Sequence, residues 1–384
     1  MLAVACGLIV ANLYYSQPLV GLIAPVIGLP PAAASLIVTT TQLGYCLGLL
    51  FLVPLGDLVE NRRLVLWTLC GAIAALLMAA TADSAATFLC ATLLLGLGSV
   101  VVQMLVPIAA HLAPDADRGR VVGNVMSGLL VGIMLSRPLA GFIANAFGWR
   151  TVFAGSAVAM VLLGLTLRGL LPQRRPARSH GYGELIASLW TLLRDTPLLR
   201  RRALYQAALF GVFTLYWTAV PIVLAGPHFN LSQGGIALFS LAGVAGALAA
   251  PIAGRLADRG HTRVATGFAI AIVAVAFPLS RIGHSQSLTM LLVGGILLDL
   301  GVQANLVLGQ RAIYEIGSHL RSRLNGIFMA IFFVGGGVGS AVASVAVARG
   351  GWPLVSWIGF ALPAAALIFY ATEPQDLRHP KVTP

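Results

Sequence analysis

Residues 56–63 read GDLVENRR and residues 254–263 read GRLADRGHTR. Each is a short, charged, glycine-led stretch that interrupts long apolar runs. The chain around them is 58% hydrophobic and only 9% charged over 384 residues, against about 25% charged in an ordinary soluble domain. Runs such as 64–82 (LVLWTLCGAIAALLMAATA) and 152–167 recur without a polar face. That excludes a soluble α/β protein and reads as a set of membrane-spanning helices. The same charged turn occurs once in each half of the chain, so the halves themselves call for comparison.

At about 20 residues per span, the apolar runs predict twelve helices, near 2–24, 34–55, 64–82, 86–110, 121–144, 151–171, 203–224, 232–253, 263–281, 286–309, 323–346 and 353–371. LPPAA at 29–33, TADSA at 81–85, AGPHFN at 225–230 and GHSQS at 283–287 supply turn chemistry between them. MLAVACGLIV at the start has no basic region before its apolar run, so it reads as a span and not as a cleavable signal.

Arginines alternate with the spans. One set of links holds Arg62 and Arg63, Arg118 and Arg120, Arg174, Arg175 and Arg178, Arg200 to Arg202, Arg255, Arg259 and Arg263, and Arg311, Arg321 and Arg323; the opposite set holds Arg150, Arg281 and Arg349. Under the positive-inside rule the first set is cytoplasmic, and both termini with it. The net charge of +12 therefore sits in links and not on one face, so nucleic acid is not an expected partner. Cys6, Cys46, Cys70 and Cys90 all fall within apolar segments and read as small packing residues.

The halves are copies. Arg118 and Arg321 are 203 apart (321 − 118), and the same offset pairs Arg120 with Arg323, Gly123 with Gly326, Met126 with Met329, Gly132 with Gly335, Ala140 with Ala343, and Gly148-Trp149 with Gly351-Trp352. Asp57 and Asp258 are 201 apart (258 − 57). Six spans per copy is an even number, so both copies cross the membrane in the same sense, as parallel repeats do. The expected organisation is a six-helix bundle over 1–171, a basic cytoplasmic linker over 172–202 with a short interfacial helix from Glu184 to Leu193, a second six-helix bundle over 203–371, and a cytoplasmic tail over 372–384.

GRLADRGHTR closely resembles the loop motif of the major facilitator superfamily, roughly G-x-L-a-D-R-x-G-R-R, and GDLVENRR is a variant of it with one extra residue between the Asp and the arginines. ANLYYSQP, DRGRVVGNVMSGLLVGIMLSRPLAG, GWRTVF, LLDLGVQANLVLGQRAIY and RSRLNGIFMAIFFVGGGVGSA look like the bacterial branch described as drug or sugar efflux permeases. The likeness runs along the whole chain. It implies an all-α membrane protein of twelve transmembrane helices in two pseudo-symmetric six-helix bundles.

The resemblance also implies roles. Asp57 is expected to face the start of the eleventh span near Arg321, and Asp258 the start of the fifth near Arg118. A carboxylate there meets unsatisfied N–H groups and the positive end of a helix. With Arg62, Arg63, Arg259 and Arg263 they would form a gate. Gly128, Gly132, Ser136 and Ala140 line one face of the fifth span, as Gly335, Gly339 and Ala343 do on the eleventh, a spacing that lets helices approach closely in lipid. GIMLSRPLAG stands where drug–proton exchangers carry g-x-x-x-G-P-x-x-G-G, and Thr92 stands where they usually carry an Arg. Both departures weaken a direct carry-over of antiport.

Two charges fall well inside spans, Arg137 on the fifth and Asp299 on the tenth. A charge at the bilayer centre costs about 2.5–3.5 kcal/mol on insertion scales, which marks both as functional candidates. Asp299 is expected about 16 Å from the cytoplasmic end, where it would either load and release a proton or form a structural pair with a polar neighbour on the seventh, eighth or eleventh span, and Arg137 about 24 Å from it. Arg137 could bind an anionic substrate group, hold an outer gate or reach the outer interface. The expected substrate-cavity residues are Asn12, Tyr15, Gln17, Gln42, Gln103, Tyr216, Trp217 and Gln303, a set suiting a weakly polar or amphipathic solute and not a polyanion; interhelical hydrogen bonding is the alternative role of each.

The expected function is therefore a monomeric secondary transporter in a bacterial cytoplasmic (inner) membrane. It would export a small drug-like or sugar-like solute by alternating access in exchange for protons, with the proton gradient as its energy source and no cofactor. The alternatives are proton-linked symport or uniport of a small metabolite, and a non-transporting membrane receptor. An enzyme is not expected, since no nucleotide loop, metal cluster or nucleophile–base arrangement is visible.

Overall fold

The computed structural model describes residues 1–114, 117–173, 181–317 and 320–374. Arg174, Arg175 and Arg178, the side chain of Arg118 and the 375–384 part of the expected tail lie outside the described residues. Every regular element among the described residues is helical. Lipid offers the backbone no hydrogen-bond partners, so apolar runs of this length close their bonds within the helix.

Residues 1–187 with 230–241 form one compact unit, and residues 188–229 with 242 onward form the other. In the first unit the chain runs α1 (Leu2–Ala11), α2 (Val20–Val26), α3 (Leu36–Phe51), α4 (Asn61–Thr81), α5 (Ala85–Ser99), α6 (Val101–Leu112), α7 (Arg118–Phe147) and α8 (Trp149–Leu170). Next comes α9 (Tyr182–Asp195), which covers the helix expected in the linker and straddles the boundary between the units. Thr196 alone separates α9 from α10 (Pro197–Ala225). The remaining helices are α11 (Gln233–Ser240), α12 (Ala249–Asp258), α13 (Thr262–Gln286), α14 (Leu288–Tyr314) and α15 (Arg321–Ala371).

Ten helical stretches among the described residues, some of them joining two of these elements, such as Ala85–Leu112 and Gln233–Asp258, are long and apolar enough to cross a membrane, and Leu2–Ala11 and Gln17–Val26 are shorter apolar pieces. The expected first span is thus broken, with turns over residues 12–16 and a single 3-10 turn over Gln17–Leu19, where Pro18 cannot donate a backbone bond. The fourth span divides at Val100. The eighth divides around a 3-10 stretch, Leu241–Leu248. The eleventh and twelfth instead run on as α15, turned at Gly351, whose φ is 57°. Gly148, its partner at the 203 offset, has φ 84° between α7 and α8. A left-handed φ is open to glycine at little cost, so both copies reverse direction at the same Gly-Trp pair. α14 also runs past the expected end at 309. Asp299 is therefore 15 residues from Tyr314 (314 − 299), about 22 Å instead of about 16 Å, and 11 residues from Leu288.

Small residues set the helix contacts. In the first unit α1 crosses α7 where Gly7 meets the backbone of Gly128 and Gly132, and α3 crosses α5 where Gly44 meets Leu93 and Gly96 meets Thr41; no Cβ fits at these glycines. In the second unit α10 crosses α15 where Gly335 meets Ala207 and Gly339 meets Gly211. Bare backbones at such crossings gain van der Waals contact that lipid cannot supply. Trp149 lies edge-on to Phe88 at 5.6 Å, and Trp352 edge-on to Tyr216 at 5.4 Å. Cys6 and Cys46 are buried as expected, whereas Cys70 and Cys90 are exposed and do not pack in the core.

Candidate functional site

In the second unit, Asp299 is 3% exposed, and the indole Nε1 of Trp217 donates to its Oδ1 at 2.8 Å. Gly246, in the 3-10 stretch of the eighth span, brings its backbone so close that a Cβ would lie 3.2 Å from Asp299 Cβ and 3.3 Å from Gln303 Cγ. Tyr216 is buried beside Trp217, its ring 5.4 Å away edge-on, and its hydroxyl donates to Leu291 O at 2.7 Å. The expected group Tyr216, Trp217, Asp299 and Gln303 is therefore brought together on α10 and α14, under one bend of the eighth span.

In the first unit, Arg137 is 2% exposed, so its guanidinium is buried and does not reach an outer surface within that unit. Its Nε donates to Gln17 Oε1 at 2.7 Å, and the guanidinium carbon lies 5.3 Å from the Tyr14 ring centroid. Pro18 and Pro221 are 203 apart (221 − 18), and the same offset carries Tyr14 onto Trp217. Repeat-related aromatics thus touch the buried charge of their own unit, although one charge is an arginine on α7 and the other an aspartate on α14.

The other expected cavity residues have mixed surroundings. Asn12 accepts from Ser156 Oγ at 2.6 Å and donates to Met160 Sδ at 3.6 Å, tying the first span to the sixth. Tyr15 is half-buried. Gln103 donates to the Tyr45 hydroxyl at 3.1 Å. Gln42 is fully buried, and both atoms of its amide lack a hydrogen-bond partner among the described residues. Thr92, at the position where drug–proton exchangers usually carry an Arg, shares a 2.6 Å hydrogen bond between hydroxyls with Thr40.

The charged turns are surface features within their own units. Asp57 ends a 3-10 stretch, Val53–Asp57, and is exposed; Arg62 is half-buried and Arg63 exposed. Asp258 pairs with Arg311, a partner the motif did not suggest, and these side chains are 57% and 46% exposed. Arg259 is exposed, and Arg321 donates to Tyr314 O at 3.4 Å.

Sequence reasoning missed a polar network at the end of α15. The expected tail begins at 372, yet Glu373 is fully buried. Arg202, itself 5% exposed, donates to Glu373 Oε1 at 3.0 Å and to Thr266 Oγ1 at 3.0 Å, and Arg263 lies 3.9 Å from Glu373 Oε2. Arg201 donates to Phe369 O and Thr372 O, both at 3.1 Å. Arg263 is thus part of a clasp between α10, α13 and the end of α15. Also missed were Gln206 and Asn305, where Asn305 Nδ2 donates to Gln206 Oε1 at 2.6 Å and links α14 to α10. Two amides inside apolar runs were the available signal.

The model of the Major Facilitator Superfamily matches residues 2–285 and 203–383 of the chain. An uncharacterized transporter of Escherichia coli O157:H7, YgaY, is 42% identical over 370 residues, covering 96% of this chain and 94% of its own length. A probable transporter of Streptomyces coelicolor, SCO4007, is 35% identical over 92% of this chain and 82% of its own. Among solved structures, the nucleoside transporter NupG superposes with a TM-score of 0.78 at 13% identity, over 96% of this chain and 98% of that one. Matching halves, Gly-Trp reversals and a family model that spans both copies lead to one conclusion: the chain is an all-α, multi-pass membrane transporter of the Major Facilitator Superfamily.

Proposed function

We propose that this transporter exports a small organic solute in exchange for protons, and that Asp299 carries the proton. The observation behind this reading is a carboxylate 3% exposed inside a membrane helix, held by the Trp217 indole. An intramembrane carboxylate is costly unless it has work to do, and one that takes up and releases a proton as the carrier alternates can couple proton movement to solute movement. The direction follows from the likeness of ANLYYSQP and the fifth-span stretch to efflux permeases. On this reading the two bundles alternate access in a bacterial inner membrane with both termini inside, one chain suffices, and Asp57 and Asp258 help to hold the cytoplasmic side shut.

A second reading, uniport or proton-linked uptake, is favoured by Thr92 and by the Ser-Arg in GIMLSRPLAG. Reconstitution in liposomes with an internal pH-sensitive dye separates the two. Under an imposed pH gradient, a panel of amphipathic cations, sugars and organic acids is added to the wild type and to Asp299→Asn. Proton movement that depends on solute, runs opposite to it and disappears in the variant is the expected result. Solute flux without proton movement, unchanged by Asp299→Asn, sinks the exchange reading and leaves a uniporter.

A further inference from the structure

The geometry points to a recognition site for a carboxylate on the transported solute, formed within the first unit by Arg137 and Gln17. It deepens the transport reading by naming the solute's class, a small monocarboxylate, and it rests on that reading only for the claim that the bound acid is also moved. Three observations carry it.

First, Gln17 Oε1 is taken by the Nε of Arg137 at 2.7 Å. Its Nε2, on the same amide carbon, is therefore beside the guanidinium. That Nε2 is buried and has no hydrogen-bond partner among the described residues, and the whole side chain is fully buried. A buried amide donor left without an acceptor forfeits its hydration with no return, so its retention calls for a group that fills it. Such a group must present a hydrogen-bond acceptor, and next to a guanidinium an anionic oxygen is favoured over a neutral acceptor.

Second, the α-helical ladder is interrupted here. Gln17 opens a 3-10 turn that follows turns over residues 12–16, where Asn12, Leu13 and Tyr14 bond three residues back instead of four. Irregular backbone at membrane depth is tolerated where it lines a cavity or is buried in protein, and interrupted spans are where carriers of this architecture place their substrate sites. Pro138, directly after Arg137, removes a second backbone bond from α7 at the same place.

Third, the feature belongs to one copy. The 203 offset takes Arg137 to Ser340, whose hydroxyl bonds its own helix at Gly337 O, 2.9 Å away, and takes Gln17 to Val220. A device needed only for repeat packing would recur in the second unit, where the small-residue crossing does recur. One guanidinium with one amide donor, flanked by the Tyr14 ring, suits a planar monoanion.

The test is binding, read separately from transport. The full-length protein, purified in detergent, is melted with matched acid and neutral probes: benzoate against benzamide, nicotinate against nicotinamide, gluconate against glucose. At least one acid is expected to raise Tm in proportion to its concentration while its neutral partner does not. Gln17→Glu should keep the bond to Arg137, melt at or above the wild type and weaken the acid about tenfold to a hundredfold, because its own carboxylate occupies the site. Gln17→Leu should weaken binding by a similar factor, and Arg137→Lys should keep part of it. The proposal fails if no acid shifts the wild type, if neutral partners shift it equally, or if Gln17→Glu binds as the wild type does. Acid binding that survives alongside a failed pH-dye exchange assay would retain this site and refute proton exchange; the reverse pattern would refute this site alone.

Discussion

The two copies share their packing and differ in their chemistry. Gly7 on Gly132 in the first unit and Gly211 on Gly339 in the second are the same backbone-on-backbone crossing. Gly7 moves by 204 (211 − 7) but Gly132 by 207 (339 − 132), so the second crossing sits one helical turn later along α15 than the 203 offset implies. The buried polar groups have diverged further. One unit buries an arginine against an amide and a tyrosine, the other an aspartate against an indole, and among the described residues only the second is clasped by a buried carboxylate at its end; the position equivalent to Glu373 is Leu170 (373 − 203). Duplication preserved what lipid demands of helix packing and left the polar positions free to specialise.

The largest test of that asymmetry is Glu373→Gln. Removing one partner of a buried ion pair leaves an uncompensated charge, here chiefly that of Arg202, and is expected to cost about 3–5 kcal/mol. Thermal unfolding in detergent reads it directly. A loss under 1 kcal/mol would mean the clasp is already hydrated and the units are more alike than they look.

The aromatic pair gives a sharper contrast. Trp217→Phe removes the N–H that donates to Asp299 and should cost about 1.5–3 kcal/mol, since hydrogen bonds to charged groups are the strong ones. Tyr14→Phe keeps the ring face beside Arg137 and should cost less than about 1 kcal/mol. Equal losses in the melting assay would show that both rings serve only as packing.

For the shared crossing, Gly132→Val and Gly339→Val should each cost about 1–3 kcal/mol or more, because the added carbons meet backbone that cannot move aside. A difference between the two beyond that range would break the claim that the crossings are equivalent. The smallest effect belongs to Asp258→Asn. Its partner Arg311 is about half exposed, so the change should be worth no more than about 1 kcal/mol and should shrink as salt is raised. A larger stability effect would give this turn a structural role beyond its visible pair; a change in transport alone would favour the gate.

Much of the site was visible before any coordinates. Asp299 and Arg137 stood out because charge inside an apolar run is rare, and Trp217 and Gln17 because aromatics and amides there need partners. Which partner each took was not visible. Gln17 meets Arg137 across 120 residues and Trp217 meets Asp299 across 82, contacts that no local pattern encodes. Glu373 escaped notice because residues just past the last apolar run look like a solvated tail, and only the fold brings Arg202 and Arg263 onto it. The breaks at 12–16 and 241–248 were equally hidden, since a run of apolar residues satisfies a hydropathy window whether or not its helix is continuous.

By itself, then, the sequence determined the helices, their duplication and the charges stranded among them. Lipid offers backbone groups no partners, and apolar runs of about 20 residues satisfy them within one segment by forming helices. The tertiary structure decided where spans break, which small faces cross and which polar groups meet. Those outcomes depend on close packing between segments far apart in the chain, and the apolar solvent leaves such contacts to shape and not to hydrophobicity.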